Sequence, residues 1–155
     1  MQVLFCLLPG AALAEDIEAQ FKSLKTSAAW VYSVESEFDD VKDSLVEAIE
    51  SRGMVISYVS HAESMLARTA STLGGKVVYS DAEVLLFCKA NLAHRLVAAN
   101  PHNLILCPYS MSVYALADDS SRIYVGIRAP QTKIGEYRAV HELLVGVIVE
   151  ALDEQ

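Results

Sequence analysis

The sequence predicts a single α+β domain, and three observations carry that expectation. Phe38, Val41, Leu45, Ala48 and Ile49 repeat at helical spacing, with Asp39, Asp40, Lys42, Asp43, Glu47 and Glu50 on the other side. Ile123, Val125 and Ile127 alternate as a half-buried strand does, and they follow an apolar strand and the turn residues Asp118-Asp119-Ser120-Ser121, which reads as a β-hairpin. A length of 155 residues with 53% apolar content suits one domain with a sizeable core.

Taken in order, Ile17, Phe21 and Leu24 suggest a short leading helix, and Ala29 to Val34 is aromatic and β-branched enough to be a strand. The amphipathic helix over Phe38 to Ile49 is followed by Gly53 as a stop signal. Met54 to Val59 reads as a strand. Ser60-His61-Ala62-Glu63 has the pattern of a capping box opening a helix to about Ala70, before a loop at Thr72-Leu73-Gly74-Gly75. Val84 to Cys88 is a continuous apolar run expected to be a central strand, although Ser80 and Glu83 imitate a second capping box. Asn91 to Asn100 is helical and ends at Pro101. Leu104 to Leu116 reads as a long strand with Ile105, Cys107, Tyr109, Met111 and Val113 on one face, interrupted by Pro108, which argues for an edge or a bulge. Glu136 to Ala151 closes the chain as a helix with Tyr137, Val140, Leu144, Ile148 and Ala151 facing inward.

Twenty acidic residues against twelve Lys and Arg give a net charge of −8, the wrong sign for a nucleic-acid or anionic-membrane surface. No apolar run approaches the ~20 residues of a spanning helix. Met1 to Ala14 is uncharged and apolar, and it ends Ala12-Leu13-Ala14, the small-residue pattern of signal-peptidase cleavage before Glu15; an apolar helix docked on the domain is the alternative. Cleavage would remove Cys6 and leave Cys88 and Cys107. In an exported protein such a pair reads first as a structural disulfide, then as buried thiols, and last as a redox pair or metal ligands, because no C-x-x-C is present.

Candidate chemistry is sparse. No Walker loop, G-x-S-x-G, G-x-G-x-x-G or C-x-x-C-H occurs, and His141-Glu142 lacks the second His of a zinc-protease motif. His94 and His102 flank a short connecting helix and read as solvated. His61 and Met65 stand four residues apart, with Arg68 next along the stripe. A His at a helix start feels the positive end of the dipole, which favours the neutral imidazole that ligates metals. The plain alternative is a solvated His61 beside a core Met65.

The segments SHAESMLART (residues 60–69), FCKANLAHRLVAANPHNLILCPYSMSVY (87–114) and RIYVGIRAP (122–130) resemble the DUF302 family, over nearly the whole chain from Val31. The matching positions are His61, Met65, Arg68 and Thr69, then Phe87-Cys88, Asn100-Pro101, Asn103 and Cys107-Pro108-Tyr109. The resemblance implies a mostly antiparallel sheet with helices packed on it, an architecture grouped with TBP-like folds, over residues 15–155. It implies no particular activity. Some relatives are exported proteins of sulfur-oxidising bacteria, and some are associated with haem binding as homodimers.

The expectation is therefore a non-enzymatic periplasmic module, linked to sulfur-compound oxidation, that holds haem b or another small hydrophobic or metal-centred ligand. His61 would be the axial ligand, with Met65, Tyr109 and Met111 as wall or second ligand. A homodimer and a periplasmic redox partner are the candidate assemblies; nucleic acid and stable membrane insertion are not expected. Two rival readings stay open. One is a thiol-based redox or sulfur-transfer protein using Cys88 and Cys107; the other is a structural accessory subunit with no ligand, which an exposed apolar patch would favour.

Overall fold

The computed structural model describes residues 21–155. The leader, the expected cleavage point and Ile17 lie outside that range. Six strands, β1 (Lys22–Lys25), β2 (Ala29–Glu35), β3 (Val55–His61), β4 (Tyr79–Cys88), β5 (Tyr109–Leu116) and β6 (Asp119–Arg128), form one sheet in the order β1-β2-β6-β5-β4-β3, with every neighbouring pair antiparallel. Helices α1 (Phe38–Ser51), α2 (Ala62–Ala70), α3 (Ala90–Ala99) and α4 (Tyr137–Asp153) connect or follow the strands, and a 3-10 helix spans Pro101–Leu106. The result is an α+β domain.

The core lies between one face of the sheet and helices α1 and α4. Helix α1 contributes Val41, Leu45, Ala48 and Ile49, the residues its spacing selects. Helix α4 contributes Tyr137, Val140, Leu144, Val147, Ile148, Ala151 and Leu152. Opposite them, β5 and β6 supply Met111, Val113, Ala115, Ile123, Val125 and Ile127, all buried. Gly53 has φ +68°, the left-handed conformation that ends α1 without a side-chain clash. Arg52 then ties α1 to α4, donating to the carbonyls of Ala48 (2.9 Å) and Gly146 (3.0 Å) and pairing with Glu150.

On the opposite face of the hairpin, Tyr114 stacks on Tyr124 with ring centroids 5.2 Å apart. Gly126 lies across from Ser112, where a Cβ would approach the Ser112 hydroxyl to 2.7 Å, so a side chain here would require that hydroxyl to move. Among the described residues no helix is long and apolar enough to cross a membrane.

Three expectations are corrected. The segment around Phe21 and Leu24 is an edge strand, not a helix, because Lys22 to Lys25 pairs with Ser33 to Trp30. The central strand expected over Val84 to Cys88 is present and longer, since Ser80 and Glu83 also belong to β4, which starts at Tyr79. Residues 104–108 are not strand. Asn100 caps the 3-10 helix by accepting from the His102 amide, and β5 begins only after the cis Cys107–Pro108 bond; it then runs in the middle of the sheet, leaving Ile105 81% exposed rather than inward. The hairpin turn is tighter than the sequence suggests, since Leu116 already pairs with Asp119.

Candidate functional site

The Ser60/Glu63 capping box does not form. Sheet pairing continues through Ser60↔Val84 and His61↔Glu83, which keeps both residues extended. His61 is the last residue of β3 and the N-cap of α2, with no side-chain cap bond, while the Ser64 hydroxyl donates back to its carbonyl at 3.2 Å. His61 therefore stands off the helix, so the one-turn spacing that would align it with Met65 does not apply.

Register gives His61 a partner that local motifs do not reveal. Its Nδ1 faces Glu83 Oε1 at 3.2 Å; the imidazole is 63% exposed and the carboxylate 12%. Glu83 also lies 3.9 Å from Lys42 Nζ on α1, which in turn pairs with Asp39 at 3.2 Å. Burial pulls the Lys42 amine down, but the bond to Asp39 and the charges of Glu83, Asp39 and Asp43 outweigh it and hold the amine above its ordinary range. A carboxylate beside Nδ1 is the kind of neighbour that orients an imidazole. Among the described residues no group of three or more His, Cys, Asp or Glu is placed to hold a bare metal ion, so His61 would supply a single bond.

Beyond His61 the chain leaves the core. Helix α2 buries no residue, and Met65, Leu66, Leu73, Val77 and Val78 are all exposed, Met65 at 50% and Leu73 at 80%. Arg68 is exposed as well. Leu66, Leu73, Val77 and Val78 wall a shallow cleft of about 190 Å³ between α2 and the segment that leads into β4. Glu63 also lines this cleft, and its Oε2 is buried without a hydrogen-bond partner.

The other two residues of the expected ligand set are elsewhere. Tyr109 and Met111 are 2% and 0% exposed on the core side of β5, Met111 between Leu85 and Ile127 and Tyr109 edge-on to Phe87 at 6.2 Å. The four residues therefore do not line one haem slot. His61 and Met65 are exposed, whereas Tyr109 and Met111 are core side chains.

Cys88 ends β4 and Cys107 precedes β5. Because β4 and β5 are antiparallel neighbours with Phe87 opposite Tyr109, the two cysteines come to bonding distance, with Cα atoms 6.7 Å apart. The other histidines divide as expected for two of three. His94 and His102 are solvated, whereas His141 packs edge-on against Trp30 at 4.5 Å, with Nδ1 buried and unpartnered.

Set against known proteins, the chain matches the family described as "Domain of unknown function DUF302" over residues 30–153. A crystal structure of an uncharacterized conserved DUF302 protein from Bacillus stearothermophilus is similar in fold, with a TM-score of 0.57 and 16% identity, covering 81% of this chain and 95% of that one. No curated protein matches. The sheet and helices derived above, together with this match over most of the chain, place the protein in the DUF302 family.

Proposed function

We propose that the protein is a non-enzymatic binding module for a small hydrophobic or metal-centred ligand, with haem b as the ligand to test first. The observation that carries this reading is the pairing of an oriented imidazole with an uncovered apolar surface. His61 has its Nδ1 3.2 Å from Glu83 and an imidazole 63% exposed, and it is followed at once by α2, whose apolar side chains none of the described residues bury. A flat, apolar group laid over Met65 and Leu66 would remove that surface from water, and a metal at its centre would take the imidazole as its ligand. Glu83 positions the ring and does not itself reach the ligand.

An extracytoplasmic setting fits the Cys88–Cys107 pair, since such a bond persists where thiols are not kept reduced. The exposed apolar surface equally favours one rival, an accessory subunit that docks this face on a partner protein. A hemin titration separates the two. The wild-type chain is expected to give a saturable Soret shift that His61→Ala abolishes and His94→Ala leaves intact. Absence of saturable hemin binding rejects haem and leaves the docking reading, and equal loss in both variants rejects His61 as the ligand.

A further inference from the structure

We propose a second site, at the junction of β6 and α4, that takes a small organic carboxylate, its head against Tyr109 and Arg128 and its apolar body in the cleft outside. Two cavities adjoin there. The inner one holds about 100 Å³ and is walled by Tyr109, Ser110, Arg128 and Tyr137. The outer one holds about 490 Å³ between Pro130, Ile134, Gly135 and His141. Gln131 and Tyr137 belong to both walls, so the small chamber, which Leu106, Pro108 and Leu144 also line, adjoins the larger, mainly apolar one.

The Tyr109 hydroxyl is the observation that points to a ligand. It is buried and has no hydrogen-bond partner, and its residue lines the inner chamber. Buried polar groups are ordinarily paired, and an orphan costs the protein its lost hydration. An acceptor atom placed in the chamber removes that cost. Burial, reinforced by the neighbouring Tyr137, pushes the phenol up to about 12, so at neutral pH it carries its proton and donates. The acceptor it calls for is an oxygen.

Charge selects which oxygen. The chain has 20 acidic residues, yet among the described residues no carboxylate lines either cavity. Arg128 lines the inner chamber and Arg138 the outer one. Arg138 pairs at 3.8 Å with Glu142 on the helix surface, whereas Arg128 has no ion-pair partner among the described residues. A guanidinium beside a phenol donor matches the two oxygens of a carboxylate. A chamber of about 100 Å³ admits the carboxylate alone, which leaves the rest of the molecule in the apolar cleft. His141 adds a second buried polar atom without a partner, its Nδ1, at that outer wall. This site is separate from the His61 surface and does not depend on it.

The test is an NMR titration of the isotope-labelled full chain with benzoate as the probe, alongside benzyl alcohol and sodium sulfate. Benzoate is expected to move signals of residues 128–141 saturably, and benzyl alcohol to bind at least about tenfold more weakly for want of the charge. Arg128→Gln should weaken benzoate by about tenfold. Tyr109→Phe should weaken it several-fold while its melting temperature rises, which shows that the variant is folded and that the loss belongs to the hydroxyl. Three outcomes overturn the proposal: no saturable benzoate binding by wild type, sulfate binding as tightly as benzoate at the same residues, or benzoate affinity unchanged in both variants.

Discussion

Helices α1 and α2 are both amphipathic, but only α1 has its apolar stripe covered. In α1 the stripe of Val41, Leu45, Ala48 and Ile49 is buried against the sheet and α4. In α2 no residue is buried, and the segment that follows keeps Leu73, Val77 and Val78 in solvent. The first pattern accounts for folding. The second is left open by the described residues, which is why the proposed function puts a ligand on it.

Mutational energetics can break this contrast. Leu45→Ala removes a fully buried side chain and is expected to cost ~2–5 kcal/mol in urea unfolding. Leu73→Ala should stay within about 0.5 kcal/mol of wild type, as surface changes do. A large loss at Leu73 would mean that the excursion is part of the core after all.

The disulfide sharpens the same contrast, since it ties the sheet to the 3-10 helix rather than to α2. Cys107→Ser should lower stability by ~3 kcal/mol by loop-entropy reasoning, measured by denaturant unfolding without reductant. Mass mapping under non-reducing conditions that finds two free thiols would remove the staple from the account.

Smaller effects belong to polar groups inside the ordered half. Tyr109→Phe deletes a buried hydroxyl with no partner and should raise stability by about 1 kcal/mol. His141 has its imidazole pKa lowered by burial and, further, by the charge of Lys25, against a weaker opposing pull from Glu142. Its unfolded form, with the ordinary value of 6.5, therefore binds a proton that the folded form resists. Stability from this residue is complete above pH 6.5 and falls as the pH drops from there through the lower folded value. Melting curves between neutral and mildly acidic pH should show that decline, and His141→Gln should flatten it.

How much of this was legible depended on whether the signal was local. The α1 spacing, the Ile123, Val125 and Ile127 alternation and the α4 face each lie within one element, and each was readable. The edge strand was not, because four residues from Lys22 to Lys25 are too few to separate a period of two from one of 3.6, and the pairing with β2 decides it. Ser60 and Glu63 spelled a valid cap, but cross-strand bonds to β4 held Ser60 extended. Ile105 kept the parity of the following strand, yet Asn100 and Pro101 had already started a 3-10 turn. The even cysteine pair could be read, whereas its closeness needed the β4–β5 register. Glu83, Arg128 and Tyr137 were missed as site residues for the same reason, since each meets its neighbours only through the folded sheet.

The proposed binding surface is the segment from His61 to Val78, as opposed to the two-layer core. Amide hydrogen–deuterium exchange, followed by mass spectrometry with and without hemin, tests it directly. The expected result is hemin-dependent slowing confined to peptides covering residues 61–78, with α1 and α4 unchanged. Slowing that falls on other elements and leaves 61–78 exchanging as before, or no hemin-dependent change anywhere, would contradict it.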